Sequence, residues 1–175
     1  MEKKTFRNCR FYRSGDVLFA DMEVFKGQGN DTYLASVMDL YDRKIIGWAY
    51  GKNITSELAT QAVKNACLNI PDTTGIVFHS DLGSQYTSEE FEKYLQDQGM
   101  LHSFSRKGNP YDNACIESFH SVLKKEEVYT TTYYTFEEAK SALFEYIESF
   151  YNRKRRHSAL DYKTPQQIED EALAA

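Results

Sequence analysis

The sequence predicts an α/β fold, a five-stranded mixed sheet with three antiparallel strands followed by two parallel ones, flanked by helices. Two observations lead there. Between positions 17 and 50 the apolar residues fall in three short runs joined by brief turns, and brief connections join antiparallel strands. From position 58 onward the apolar period lengthens to that of a helix, and helical stretches then alternate with short apolar runs, which favours parallel pairing.

Val17–Phe25 reads as the first strand, with a start apolar enough to be buried on both faces. Two glycines mark the turn Lys26–Asp31, Thr32–Leu40 is the second strand, and Tyr41–Arg43 turns into the third, Lys44–Tyr50. Leu58, Ala59, Ala62, Val63, Ala66, Cys67 and Ile70 then mark one face of a helix that Pro71 stops. Gly75–His79 is a short apolar strand. The capping signature Thr87-Ser88-Glu89-Glu90 opens a helix through Phe91, Tyr94 and Leu95 that ends at Gly99. Met100–Phe104 is the fifth strand, and a helix follows over residues 112–127. A second capping signature, Thr135-Phe136-Glu137-Glu138, starts a helix whose stripe is Phe136, Ala139, Leu143, Ile147 and Phe150.

That order is the order of an RNase H-like fold, in which the first and fourth strands are neighbours. Asp21 on the first strand and Asp81 just past the fourth are then expected side by side.

At 175 residues the chain suits one domain, and its 41% hydrophobic content excludes disorder. We expect residues 1–15 to be a leader, 16–170 the domain and 171–175 a tail. No apolar run approaches the length of a bilayer span, and the first residues lack a signal peptide's apolar stretch, so a cytoplasmic protein is expected. Cys9, Cys67 and Cys115 are too scattered for a zinc site; the last two read as small buried hydrophobes. The net charge of −5 has the wrong sign for a nucleic-acid partner, but local clusters decide that question, and Arg153-Lys154-Arg155-Arg156-His157 is one.

Asp21, Asp81 and Glu117 are the residues most suggestive of chemistry. Phosphodiester cleavage develops charge on the attacking and leaving oxygens, and two Mg²⁺ ions roughly 4 Å apart stabilise both. Mg²⁺ takes hard oxygen ligands and keeps waters, so a few carboxylates suffice. On the predicted helix, Ser121 and Lys124 share the face of Glu117, Cys115, Phe119 and Val122 lie on the core side, and His120 sits at the border.

The chain resembles the catalytic core of insertion-sequence-three family transposases, in the superfamily of DDE transposases and retroviral integrases. The resemblance rests on Tyr33–Leu40, Arg43–Trp48, His79–Ser88, Lys107–Lys125 and Tyr151–Leu160, and it covers most of residues 16–168. It implies that Asp21, Asp81 and Glu117 are catalytic and hold Mg²⁺, with Mn²⁺ as a substitute. It also implies cleavage at a transposon end followed by strand transfer, and a homodimer or larger assembly on DNA. The family's N-terminal helix-turn-helix region has no counterpart here, which suggests a core fragment.

Three positions depart from the family. Leu82 replaces a usual glutamine and Asp161 a usual glycine, and neither removes a ligand. Glu23 stands where threonine is usual. Two residues beyond Asp21 on one strand face, Glu23 is either a tolerated surface residue or a fourth carboxylate that raises a neighbouring pKa.

Expected DNA contacts are Lys107 and Asn109, in the loop that Arg106 opens, Lys124, and the run Arg153, Lys154, Arg155 and Arg156. The bland readings are a plain surface loop and a solvated helix end. Gln85 and Tyr86 fit turn packing as well as DNA contact; His79 and Trp48 fit a packing role better than a catalytic or stacking one. Two rival functions remain: a hydrolytic RNase H-like nuclease without a joining step, and a non-catalytic DNA-binding or dimerisation remnant of a decayed element.

Overall fold

The computed structural model describes residues 15–26, 31–106 and 113–174. Its five strands are β1 (Val17–Phe25), β2 (Thr32–Asp39), β3 (Ile45–Gly51), β4 (Val77–Ser80) and β5 (Leu101–Phe104). They form one sheet in the order β3-β2-β1-β4-β5. β1 to β3 pair antiparallel, while β4 pairs parallel with both β1 and β5. This is the RNase H-like order that the sequence predicts.

Alternation along β1 splits the core in two. Leu18 and Ala20 face a cluster completed by α1 (Ser56–Cys67) and α2 (Glu89–Asp97); Val17, Phe19 and Phe25 face another completed by α3 (Ala114–Leu123) and α4 (Phe136–Phe144). A side chain on β1 is thus assigned to a helix layer by the parity of its number. Cys67 and Cys115 are half-buried at the margins of these clusters rather than within them.

Two helices differ from the regular stripes expected. α3 continues as a wide π-helical turn over Lys124–Val128, and α4 as another over Glu145–Tyr151. Bonding to the fifth residue on, as in Asn152 N–H to the Ile147 carbonyl (3.1 Å), delays the stripe. Tyr151 therefore enters the core, and Phe150, expected there, is 41% exposed. A further helix, α5 (Pro165–Leu173), crosses the boundary expected at residue 170. Buried Asn152 fixes the end of α4 to the sheet: it accepts from the Ile45 N–H (3.0 Å) and donates to the Ile45 carbonyl (2.9 Å).

The β2–β3 turn buries an acid. Asp42 accepts from the Lys44 N–H (2.8 Å) through one oxygen; the other is buried without a hydrogen-bond partner. Burial, reinforced by Asp39, pushes its pKa up to about 7. A carboxyl raised in the folded state costs nothing below its unfolded value of about 3.9 and costs more as pH rises toward its folded one. Stability should therefore fall between about pH 4 and pH 7. Asp42→Asn should flatten that slope and melt higher than the wild type above about pH 7. Thermal melts across this range check the prediction; an unchanged slope in the variant would refute it.

Candidate active site

The candidate site draws on the middle of β1, the turn after β4 and the first turn of α3. Asp21 lies on the α3 side of β1, and its Oδ1 accepts from the Met22 N–H at 2.8 Å. Asp81 begins the turn after β4, where its Oδ1 caps the Gly83 N–H at 2.8 Å, an Asx turn that an aspartate forms readily. Glu117 projects from the first turn of α3, where the positive end of the helix favours a carboxylate.

Strand pairing aligns the two aspartates: Asp21 and Asp81 each follow the last β1–β4 pair, Phe19 with His79, by two residues. Burial and then the charge of Asp21 push the Asp81 carboxyl above its ordinary range. Glu117 is raised by the same two causes in the same order, against a lowering from His120. The charge of Asp21 thus acts on both of the other carboxyls. Among the described residues, no three or more His, Cys, Asp and Glu side chains are grouped so that they could hold a metal ion as they stand.

Two buried polar atoms beside the cluster have no hydrogen-bond partner: the Tyr86 hydroxyl and His120 Nδ1. Tyr86 is 1% exposed and feels the charges of both Asp21 and Asp81. His120 Nδ1 lies 3.6 Å from Asp21 Oδ2, and its Nε2 meets the Ser36 hydroxyl at 3.2 Å. Leaving such atoms unpaired in the interior carries a cost, and groups of this kind concentrate at functional sites. In kind, the donors suit a hard divalent cation: carboxylate oxygens whose mutual repulsion a cation relieves.

His120 is fully buried, not at a border, because the core stripe of α3 is Ile116, Phe119, His120 and Leu123. Val122, expected on that stripe, is half-buried beside it. Spacing of i, i+3, i+4 and i+7 was the signal for it. Gln85 and Tyr86 are both buried in the turn after Asp81. His79 is buried with its two nitrogens on the Ser103 and Ser105 hydroxyls at 3.1 and 3.0 Å. Trp48 donates to Glu148 at 3.0 Å.

Glu23 shares the Asp21 face, as the pleat requires, but turns to the Lys124 ammonium at 2.9 Å. The causes that raise the Asp81 and Glu117 carboxyls are burial and Asp21, and Glu23 is not among them, so of its two readings the perturbing carboxylate gains no support. Arg155 is not free either: it clasps the Glu126 carboxylate through two nitrogens at 2.9–3.1 Å. Arg153, Lys154 and Arg156 are exposed. Lys107 and Asn109 lie outside the described residues.

Comparison with known proteins gives the same picture. Two models, both described as integrase core domain, match residues 12–110 and 98–165. The transposase for insertion sequence element IS904 of Lactococcus lactis subsp. lactis is 40% identical over 87% of this chain and 60% of its own length. The transposase InsF for insertion sequence IS3A of Escherichia coli K12 is 36% identical over 94% of this chain and 58% of its own. The chain thus spans about three fifths of these relatives.

Among solved structures, the intasome of simian T-cell lymphotropic virus in complex with the PP2A regulatory subunit B56 gamma matches 89% of this chain and 54% of its own at TM-score 0.74 and 19% identity. The magnesium complex of the HTLV-2 integrase catalytic core domain, in its dimeric form, matches 89% and 97% at TM-score 0.66 and 17% identity. These two show the fold. With model matches across most of its length, a sheet of the right order and transposases as its sequence relatives, the chain belongs to the integrase core domain family.

Proposed function

We propose that this chain is the catalytic core of a DDE transposase that cuts DNA at a transposon end and joins the end to target DNA. One observation carries the reading: β1 and β4 pair in parallel, and Asp21 and Asp81 each follow the last pair, Phe19 with His79, by two residues, with the charge of Asp21 also felt by Glu117 on α3. Asp21, Asp81 and Glu117 would hold Mg²⁺, or Mn²⁺ in its place. The bound metal supplies Lewis-acid stabilisation of the oxygens that gain charge as a phosphodiester exchanges partners.

The chain's own residues do the rest. β1 carries Asp21, the turn that leaves its parallel neighbour β4 carries Asp81, and the first turn of α3 carries Glu117. His120 and Tyr86 exclude water beneath the cluster. Lys124, two helical turns beyond Glu117 on its face, would take a backbone phosphate, with Arg153, Lys154 and Arg156, and Lys107 and Asn109 earlier in the sequence than α3, as further sequence-independent contacts. Because transposition joins two ends, the DNA-bound form is proposed as a homodimer or larger assembly.

A strand-transfer assay tests this. Duplexes carrying the terminal repeats that flank the coding sequence, one set already cut to a 3′-hydroxyl, are incubated with target plasmid. Joined product is expected with Mg²⁺ or Mn²⁺ and none with a chelator. Nicking without joining would select the hydrolytic nuclease, and calorimetry showing no Mn²⁺ binding would select a non-catalytic module.

A further inference from the structure

Glu23 and Lys124 stand 101 residues apart in sequence, yet their side chains meet at 2.9 Å beside the carboxylate cluster. Each is about a quarter exposed, 22% and 25%, so solvent and an incoming ligand can reach the pair. β1 sets the position of one partner: Asp21 and Glu23 point to the same side of the sheet, the first toward His120 and the second toward Lys124. α3 sets the other: His120 and Lys124 are one turn apart, in register with those two acids. A phosphate of a DNA strand that approaches Lys124 therefore meets the Glu23 carboxylate already bound there.

An ammonium has three donors and can in principle touch two anions. Two anions on one ammonium would then lie within a few ångströms of each other and repel, more strongly at a partly buried site than in water. The favourable arrangement is an exchange, in which the phosphate takes Lys124 and the carboxylate turns out to solvent. We propose that Glu23 sets the strength of the DNA-backbone contact in this site, by holding the lysine that an incoming phosphate must take over. A phosphate that has to displace a carboxylate gains little by itself. It is retained when the rest of the strand is seated, so Glu23 makes the site selective for fully docked DNA over loose backbone encounters. The inference rests on the DNA reading of the site given above.

Equilibrium binding of a short labelled duplex by the full chain tests it, with thermal melts confirming that each variant folds. Lys124→Ala alone comes first: it is expected to weaken binding and to lower the salt slope by about 1. No weakening would remove the DNA role of Lys124, and with it the reading on which the inference rests. Glu23→Gln is expected to tighten binding about two- to five-fold, the range of a partly exposed ion pair. Glu23→Asp keeps the charge and loses the reach; it is expected to tighten binding as well, and to have no effect in the Lys124→Ala background. If Lys124→Ala weakens binding while Glu23→Gln leaves it unchanged or weakens it, the exchange is wrong although the DNA reading stands. A gain in Glu23→Gln without one in Glu23→Asp means plain charge repulsion and overturns the proposal too.

Discussion

Asp81→Asn protein is expected to fold at least as well as the wild type and to join no DNA. The substitution keeps an oxygen at the position that caps the Gly83 N–H, so the turn after β4 survives. It removes one negative charge from a cluster in which burial and Asp21 already disfavour ionisation. The sign of the stability effect follows. A carboxyl whose pKa is raised on folding destabilises the fold once pH exceeds its unfolded value, and a neutral amide carries no such penalty. Without metal at neutral pH, the variant should melt at the wild-type temperature or above it. On the proposed mechanism Mg²⁺ binds the native state, so it should raise the melting temperature of the wild type more than that of the variant. In the joining assay, loss of a metal ligand worth several kcal/mol of transition-state stabilisation should lower the rate by roughly 10³-fold or more. Strand transfer near the wild-type level by purified Asp81→Asn would end the proposed mechanism. A melting temperature well below the wild type would show that Asp81 is structural.

Such a split between function and stability explains why some parts of this molecule could be read from its sequence and others could not. The sheet was legible because strands of period two separated by turns leave few topologies, and the helix-strand alternation fixed the parallel half. The alignment of Asp21 with Asp81 was legible for the same reason: it follows from the parallel pairing of the first and fourth strands. Glu117 was placed by helical geometry, but the core face was misplaced by one position, which put His120 at a border instead of inside. Local signals also existed for α5, whose capping box Thr164–Gln167 with Pro165 at its first position was present in the sequence and went unread. The ion pairs of Glu23 with Lys124 and of Arg155 with Glu126 had no such signal. Each joins segments that meet only once the helices have packed on the sheet, and no local propensity encodes a partner so far along the chain. The wide turns that end α3 and α4 belong with these, since tertiary packing, not the apolar period, decides where a helix loosens.

Gly47→Ala should cost about 3 kcal/mol of stability and leave the carboxylate site intact. Gly47 lies in β3 where α1 crosses the sheet. A β-carbon there would stand 2.4 Å from the Ala66 nitrogen, 2.5 Å from the Ala62 carbonyl oxygen and 2.6 Å from the Ala66 β-carbon. Two of those atoms are backbone, so no rotamer change relieves the clash; the helix has to withdraw. Two asparagines prevent a cheap withdrawal. Asn65 donates to the Trp48 carbonyl at 2.8 Å and Asn69 to the Ile46 carbonyl at 2.9 Å, one on each side of Gly47. Moving α1 outward stretches both bonds, each worth about 1 kcal/mol, and loosens Ala59, Ala62, Val63 and Ala66 in the core. In a domain of this size the loss corresponds to roughly 10 °C in melting temperature. Urea titration should show a lower midpoint with an unchanged slope, the mark of lost stability without a change in the unfolding reaction. Ala66→Gly should not rescue the variant, because it removes only the side-chain contact. α1 packs on the face of the sheet opposite α3, so below the melting transition Mn²⁺ affinity should match the wild type. A drop under about 2 °C would mean that α1 can move away from β3 at little cost, and that the close approach at Gly47 is not what fixes this helix on the sheet.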